Sequence, residues 1–328
     1  MIIRFFKSNQ QATFFAIPIL ILALWLEGYI KKLPLEIIHA MPVYKLFVWY
    51  YNENTDIIYR TLAIGLLIVQ AIYLNNIINK HEVLYKRSHL PALIYCVLMS
   101  LFLPLLNLHP ILIIGILLIR LLDNVLSFYK SSTNNLALDS GLIIGISSLI
   151  YFPSIILFLI VLIGLIILRP FYWRNWIVAI IGLTLPFYFI SIYYLWNNKL
   201  GKFWIEEVRG YFVHLIKFDF IFSRPMKLLS ITIISLLILS LLKLQTNFFR
   251  NVIRTRNYHI ILVFWLIISM ASLLLCPLIN LESFSLMAIP ASIFISYYFL
   301  AVKRTVWLEI IFLFLLFLII YNQVVFKG

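Results

Sequence analysis

The feature that most constrains this chain is the length of its uninterrupted apolar runs, of which Ile310–Tyr321 (IIFLFLLFLIIY) is the plainest. Such runs recur along 328 residues, of which 64% are hydrophobic and only 12% charged. A soluble domain is about half apolar and about a quarter charged, so this balance calls for lipid as solvent. In hydrocarbon every backbone N–H and C=O must be paired within the protein, which leaves helices or a closed barrel. The runs are continuous rather than alternating, so they specify helices.

A window of about 20 residues gives the spans. They fall near 12–30, 57–78, 91–108, 111–129, 138–151, 153–168, 175–196, 226–245, 259–279, 283–301 and 305–325. The run Gly141 to Arg169 reads either as one overlong tilted helix or as two spans folded back at Tyr151-Phe152-Pro153. Charge decides between them. With two spans, one set of loops holds Arg4/Lys7, Lys80/Lys86/Arg87, Lys130, Arg169/Arg174, Lys243/Arg250/Arg254/Arg256 and Lys303/Arg304, fourteen of the 26 basic residues. The opposite loops hold Glu27, Glu36, Glu53, Asp56, Glu206, Glu207, Asp219 and Glu282. With one span, the acid-free basic stretch 243–256 would face outward, against the positive-inside rule.

The expectation is therefore an all-α fold: a polytopic transmembrane helical bundle of about eleven spans, N-terminus cytoplasmic and C-terminus outside. No linker divides the chain, so residues 1–328 read as a single integral membrane domain. The opening MIIRFFKSNQQ carries Arg4 and Lys7 before the first span, with no A-x-A-like site after it, and reads as an uncleaved anchor. The net charge of +14 follows from basic inner loops meeting anionic head groups; membrane lipids, not nucleic acid, are the expected contacts.

Two outward loops are long, about 31–56 and 197–225. In the second, Trp204, Val208, Tyr211, Phe212 and Leu215 recur at helical spacing; in the first, Leu35, Ile38, Phe47 and Trp49 suggest two short helices broken at Pro42. Both loops are expected in the membrane interface.

Chemistry needs polar side chains, and few are offered. Glu27 closes the first span and Asp56 opens the second, so each is a candidate general base at the outer face. Lys31, Lys32, Arg60, Arg224 and Lys227 lie near the same face and could neutralise a lipid phosphate. The competing reading is that these are interface charges marking helix ends. Arg120 and Asp123, three apart inside the fourth span, share a helix face and form an intramembrane polar pair that is either functional or a structural tie. His39, His109 and His214 read as structural: HExxH and clustered Cys/His are absent, so no metal site and no cofactor are expected. Cys96 and Cys276 sit in apolar segments as small hydrophobes. P-loop, GxGxxG and GxSxG motifs are absent too.

Residues 137–189 carry a small-residue G-x-x-x-G at Gly141/Gly145, a Phe-Pro turn, an RPF-x-x-R-x-W loop and a G-L-x-x-P helix. Together with the opening MIIRFFKSNQ, this layout resembles a family of multi-pass inner-membrane proteins from Bacteroidetes that has no established activity. The resemblance implies a bacterial inner membrane with the C-terminus in the periplasm. More distantly, the architecture resembles GT-C-type membrane glycosyltransferases, which use polyprenyl-phosphate sugars and place a catalytic acid just after the first span. Glu27 occupies the matching position, although no paired acidic motif accompanies it and no large outer soluble domain follows. That resemblance implies a transferase, or a degenerate relative, acting on a polyprenyl-phosphate-linked sugar at the outer face. The alternatives are a non-catalytic membrane subunit of a cell-envelope or secretion complex, with protein partners, and, third, a transporter.

Overall fold

The computed structural model of the chain describes residues 2–7, 11–31, 41–52, 55–129, 133–169, 172–199, 201, 203–204, 224–273, 281–302 and 305–325. Among these residues the principal elements are α1 (Ile2–Phe6), α2 (Gln11–Ile30), α3 (Pro42–Phe47), α4 (Asp56–Lys80), α5 (Leu90–Met99), α6 (Pro110–Ser127) and α7 (Thr133–Ile150). They continue as α8 (Phe158–Leu168), α9 (Trp173–Trp196), α10 (Arg224–Asn247), α11 (Ile253–Ser272), α12 (Ala288–Ala301) and α13 (Thr305–Val325). Short 3-10 turns occupy Leu103–Leu106, Phe152–Leu157, Phe248–Arg250 and Leu281–Met287.

Six of these segments are long and apolar enough to cross a membrane: Asp56–Lys80, Pro110–Ser127, Trp173–Trp196, Arg224–Arg250, Glu282–Ala301 and Val306–Val325. Four shorter apolar segments, Thr13–Gly28, Leu90–Met99, Asn134–Ile150 and Phe152–Leu168, pack with them, as does the less apolar α11. The buried residues form one contiguous cluster reaching from Ile3 to Ile319, with Trp25, Tyr95 and Trp265 among its largest side chains. Lipid is as apolar as leucine, so helix association in such a bundle rests on close packing and on hydrogen bonds between helices. Both can be followed residue by residue.

The closest packing joins α7 to α9. A Cβ on Gly141 would lie 2.2 Å from the Ala179 carbonyl oxygen, and one on Gly182 would lie 2.4 Å from that of Leu138. Gly145 meets Leu183 and Pro186 in the same way. Only hydrogen on these α-carbons lets the two backbones touch, which is the physical content of the G-x-x-x-G spacing.

The third apolar segment departs from the expected continuous span over 91–108. Helix α5 stops at Met99, and the chain passes through a 3-10 turn at Leu103–Leu106. Pro104 explains the break: it has no N–H for the Ser100 carbonyl, and its ring clashes with that carbonyl in a regular helix. The freed groups are taken up by α13, where Gln323 Nε2 donates to the Ser100 carbonyl at 2.9 Å and Asn322 Nδ2 to that of Leu101 at 3.1 Å. Trp25 Nε1 of α2 donates to Ser100 Oγ at 3.0 Å. Two helices, α2 and α13, seal one proline break.

Proline also divides the run 141–169. The 3-10 turn Phe152–Leu157 separates α7 from α8, and Arg169 Nε at the end of α8 reaches back to the Phe128 carbonyl at 2.9 Å, just after α6. The segments α7 and α8 therefore turn back on each other. Helices α4 and α6 run parallel: Gln70 Nε2 donates to the Leu112 carbonyl at 2.6 Å near the start of α6, while His81 meets Asp123 near its end. The bundle thus has an Asp56 end and a Lys80 end.

Candidate functional site

At the Asp56 end, Glu27 is half-buried in the last full turn of α2, beside Gly28, which packs against Leu106. Asp56 opens α4, where a carboxylate suits the helix dipole. Its Oδ2 accepts from Arg60 Nε at 2.8 Å, and its Oδ1 from the Tyr51 hydroxyl at 3.3 Å. Arg60 is only 2% exposed, and its second donor group reaches the Lys31 carbonyl at 3.4 Å. Lys31 in turn donates to the carbonyls of Gln323 and, at 2.8 Å, Val324 in the last turn of α13, where a cation offsets the dipole. Lys31, Asp56 and Arg60 are thus brought together in one knot that ties α2, α4 and α13. Both carboxylate oxygens of Asp56 are engaged in this knot, by Arg60 and by Tyr51.

The other candidates lie apart. Arg224 and Lys227 stand exposed on the first turn of α10, and Lys32 falls outside the described residues. His109 is buried at the start of α6 with Nδ1 3.0 Å from the Asn107 carbonyl, and burial pushes its pKa down to about 4. His39, His214 and Cys276 fall outside the described residues, as do Glu36, Glu53 and most of the second long loop. Of the two short helices expected around Pro42, the described one is α3, which begins at Pro42 and is pinned by the Tyr44 hydroxyl to the Leu108 carbonyl at 2.9 Å. Cys96 is fully buried in α5.

The Lys80 end holds the densest ionic cluster among the described residues. Asp123, on α6, accepts from Lys80 Nζ at 2.9 and 3.1 Å, from His81 Nε2 at 2.7 Å and from Arg120 at 3.3 Å. An ionised carboxylate only accepts, so the proton in the short contact belongs to His81 Nε2. His81 is buried, whereas the Lys80 and Arg120 side chains are 61% and 50% exposed. The Tyr258 ring of α11 stands edge-on to His81, its hydroxyl donating to the Leu126 carbonyl at 3.0 Å. Arg254 of α11 pairs with Glu82 at 2.7 Å. The pair Arg120–Asp123 exists as the i, i+3 spacing implied, but it is the edge of a cluster joining α4, α6 and α11.

Sequence reasoning missed His81 altogether and took Lys80 for a loop charge. A signal was present: Gln70, Leu74, Ile77 and His81 follow one another at helical spacing, and all are buried. A polar residue continuing a buried stripe asks for a partner on the facing helix.

A third feature is apolar. A cavity of about 160 Å³ lies between α5, the following 3-10 turn, α10, α11 and α12, lined among others by Phe102, Ser230, Ile234, Leu237, Met270 and Ala291.

Beyond this geometry, the sequence profile of a family described as a family of unknown function (DUF6427) matches residues 34–327. The chain belongs to the DUF6427 family. No curated protein and no solved structure matches it. Nothing about activity is thereby carried to this DUF6427 protein, and its function has to be argued from its own residues.

Proposed function

We propose that this DUF6427 protein is an integral membrane protein of about eleven passes, a GT-C-like transferase or its degenerate relative, acting on a polyprenyl-phosphate-linked sugar at the outer face. The passes are α2, α4, α5 with its 3-10 turn, α6, α7, α8 with its 3-10 turn, α9, α10, α11, α12 with its 3-10 turn, and α13. The basic residues of the Lys80 end support an orientation with that end cytoplasmic and the Asp56 end outside, and the proposed membrane is the bacterial inner membrane.

The observation that carries the reading is the knot at the Asp56 end. It fixes the end of α2 against the start of α4, leaving Glu27 half-buried one turn before Lys31. In the proposed reaction Glu27 takes the proton of an acceptor hydroxyl as it attacks the sugar carbon, and polyprenyl phosphate leaves. The two cations of the knot, Lys31 and Arg60, favour the phosphate, with Asp56 holding Arg60 in place. Purified protein in proteoliposomes, given a polyprenyl-phosphate sugar, tests this. Glu27→Ala and Asp56→Ala are expected to abolish transfer while the protein stays monodisperse; retained transfer in both removes the reading.

One observation favours a second reading, a non-catalytic subunit of an envelope complex. Asp56 is fully engaged by Arg60 and Tyr51, as in a structural joint. Purification in mild detergent then yields a stoichiometric protein partner; a clean monomer counts against it.

A further inference from the structure

We infer that the apolar cavity beside α10 and the two cations above it form a seat for one anionic glycerophospholipid of the surrounding membrane. The inference uses the membrane placement proposed above but not the transferase chemistry.

Helix α10 supplies both halves. Lys227, Ser230, Ile234 and Leu237 are spaced by three, four and three residues, so they lie along one face; the last three line the cavity and Lys227 stands above them. Arg224 lies one turn further toward the helix start. The first turn therefore carries two cations and no acid. That arrangement runs against the helix dipole, whose positive end favours anions, and no described residue pairs with either cation to compensate it. Both side chains are exposed. A phosphate diester there meets two cations and the amino-terminal N–H groups of a 24-residue helix together.

The cavity below defines the tail. Its volume of about 160 Å³ matches a dry apolar site of benzene size, enough for a stretch of about six methylenes of one chain. Its mouth is marked by Ile234 and Met270, 55% and 60% exposed, so a tail enters sideways from the bilayer. A tail in lipid gains little by moving from one hydrocarbon setting to another, so head-group charge decides which lipid is held. An unbranched acyl chain suits a volume this small better than a methyl-branched isoprenoid, which favours the glycerophospholipid over a polyprenyl phosphate.

The test is native mass spectrometry of the full chain released from phosphatidylcholine nanodiscs containing phosphatidylglycerol. One phosphatidylglycerol is expected to stay bound to the wild type in preference to phosphatidylcholine. Arg224→Glu/Lys227→Glu is expected to lower that preference more than tenfold, at roughly fivefold or more for each cation removed. Ile234→Trp, a change at an exposed position that blocks the mouth without repacking the core, is expected to lower retention of either lipid. Equal retention in wild type and both variants overturns the proposal, as does displacement of phosphatidylglycerol by decaprenyl phosphate at equal mole fraction. Glu27→Ala serves as the separating control. Loss of transfer with lipid retained leaves this site standing, and loss of lipid preference in the charge variant with no effect of Glu27→Ala on transfer removes the transferase reading while leaving the seat.

Discussion

Asp123→Asn is the most informative single change at the Lys80 end, because it removes one charge and keeps the shape. The wild-type carboxylate accepts from three groups of unequal worth. Lys80 and Arg120 are more than half and half exposed, so their pairs with Asp123 are screened and contribute up to about 1 kcal/mol together. His81 is buried, and its 2.7 Å bond to an ionised acceptor is of the stronger kind, about 1.5–3 kcal/mol. Asparagine can still accept from His81 as a neutral partner, which retains about 1 kcal/mol. Asp123→Asn should therefore cost about 2 kcal/mol. Asp123→Leu should cost about 3–4 kcal/mol, since it also strands the buried His81 N–H. Adding His81→Leu to Asp123→Leu should recover part of that loss, because replacing both partners of a buried pair leaves no polar group unsatisfied. Reversible unfolding in detergent with a denaturant, read by tryptophan fluorescence, measures the wild type, Asp123→Asn, Asp123→Leu, His81→Leu and the double variant. A double variant as unstable as the sum of the two single ones would refute the argument that His81 and Asp123 form a coupled pair.

Other consequences are equally specific. Gly182→Leu should part α7 from α9 and lower stability by more than 2 kcal/mol, since its Cβ has backbone rather than a flexible side chain in its way; melting temperature by size-exclusion chromatography reads it. Gln323→Leu should cost about 1 kcal/mol by stranding the Ser100 carbonyl, and hydrogen exchange should rise at the end of α5 and not in α6. His109 gives a pH dependence with a definite sign. Its folded pKa, near 4, lies below the ordinary value of 6.5, so its contribution is fully present above pH 6.5 and is lost as pH falls toward 4. The loss reaches about 3 kcal/mol, and His109→Leu should flatten the stability profile across that window.

The helical class and the membrane-length segments were legible because they follow from apolar runs alone, a local property. The turn at Phe152-Pro153 was legible because a proline acts on its own backbone and loop charge favoured two spans, whereas the Gly141/Gly145 spacing was visible without its partner, which lies on α9. Pro104 is as visible in the sequence as Pro153, yet the break it causes was read through, because its cost is offset by Asn322 and Gln323, more than 200 residues away. The Asp123 cluster was half legible. Arg120 lies on the same helix and was found by spacing, whereas Lys80 and His81 come from another helix, and only the parallel packing of α4 and α6 brings them near. At the other end, Asp56 and Arg60 were named for separate tasks, base and phosphate ligand. Their one-turn spacing already allowed the ion pair that now engages both.

Turnover at the Asp56 face can be followed with the two sides of the membrane separated. Protein is reconstituted in a single orientation, and a polyprenyl-phosphate-linked sugar carrying a radiolabel is supplied on either side, with release of free polyprenyl phosphate followed over time. Release is expected when the donor is presented at the Asp56 face, none at the Lys80 face, and none at either with Glu27→Gln. Release that is unchanged by Glu27→Gln, or that occurs only from the Lys80 face, would contradict the transferase reading.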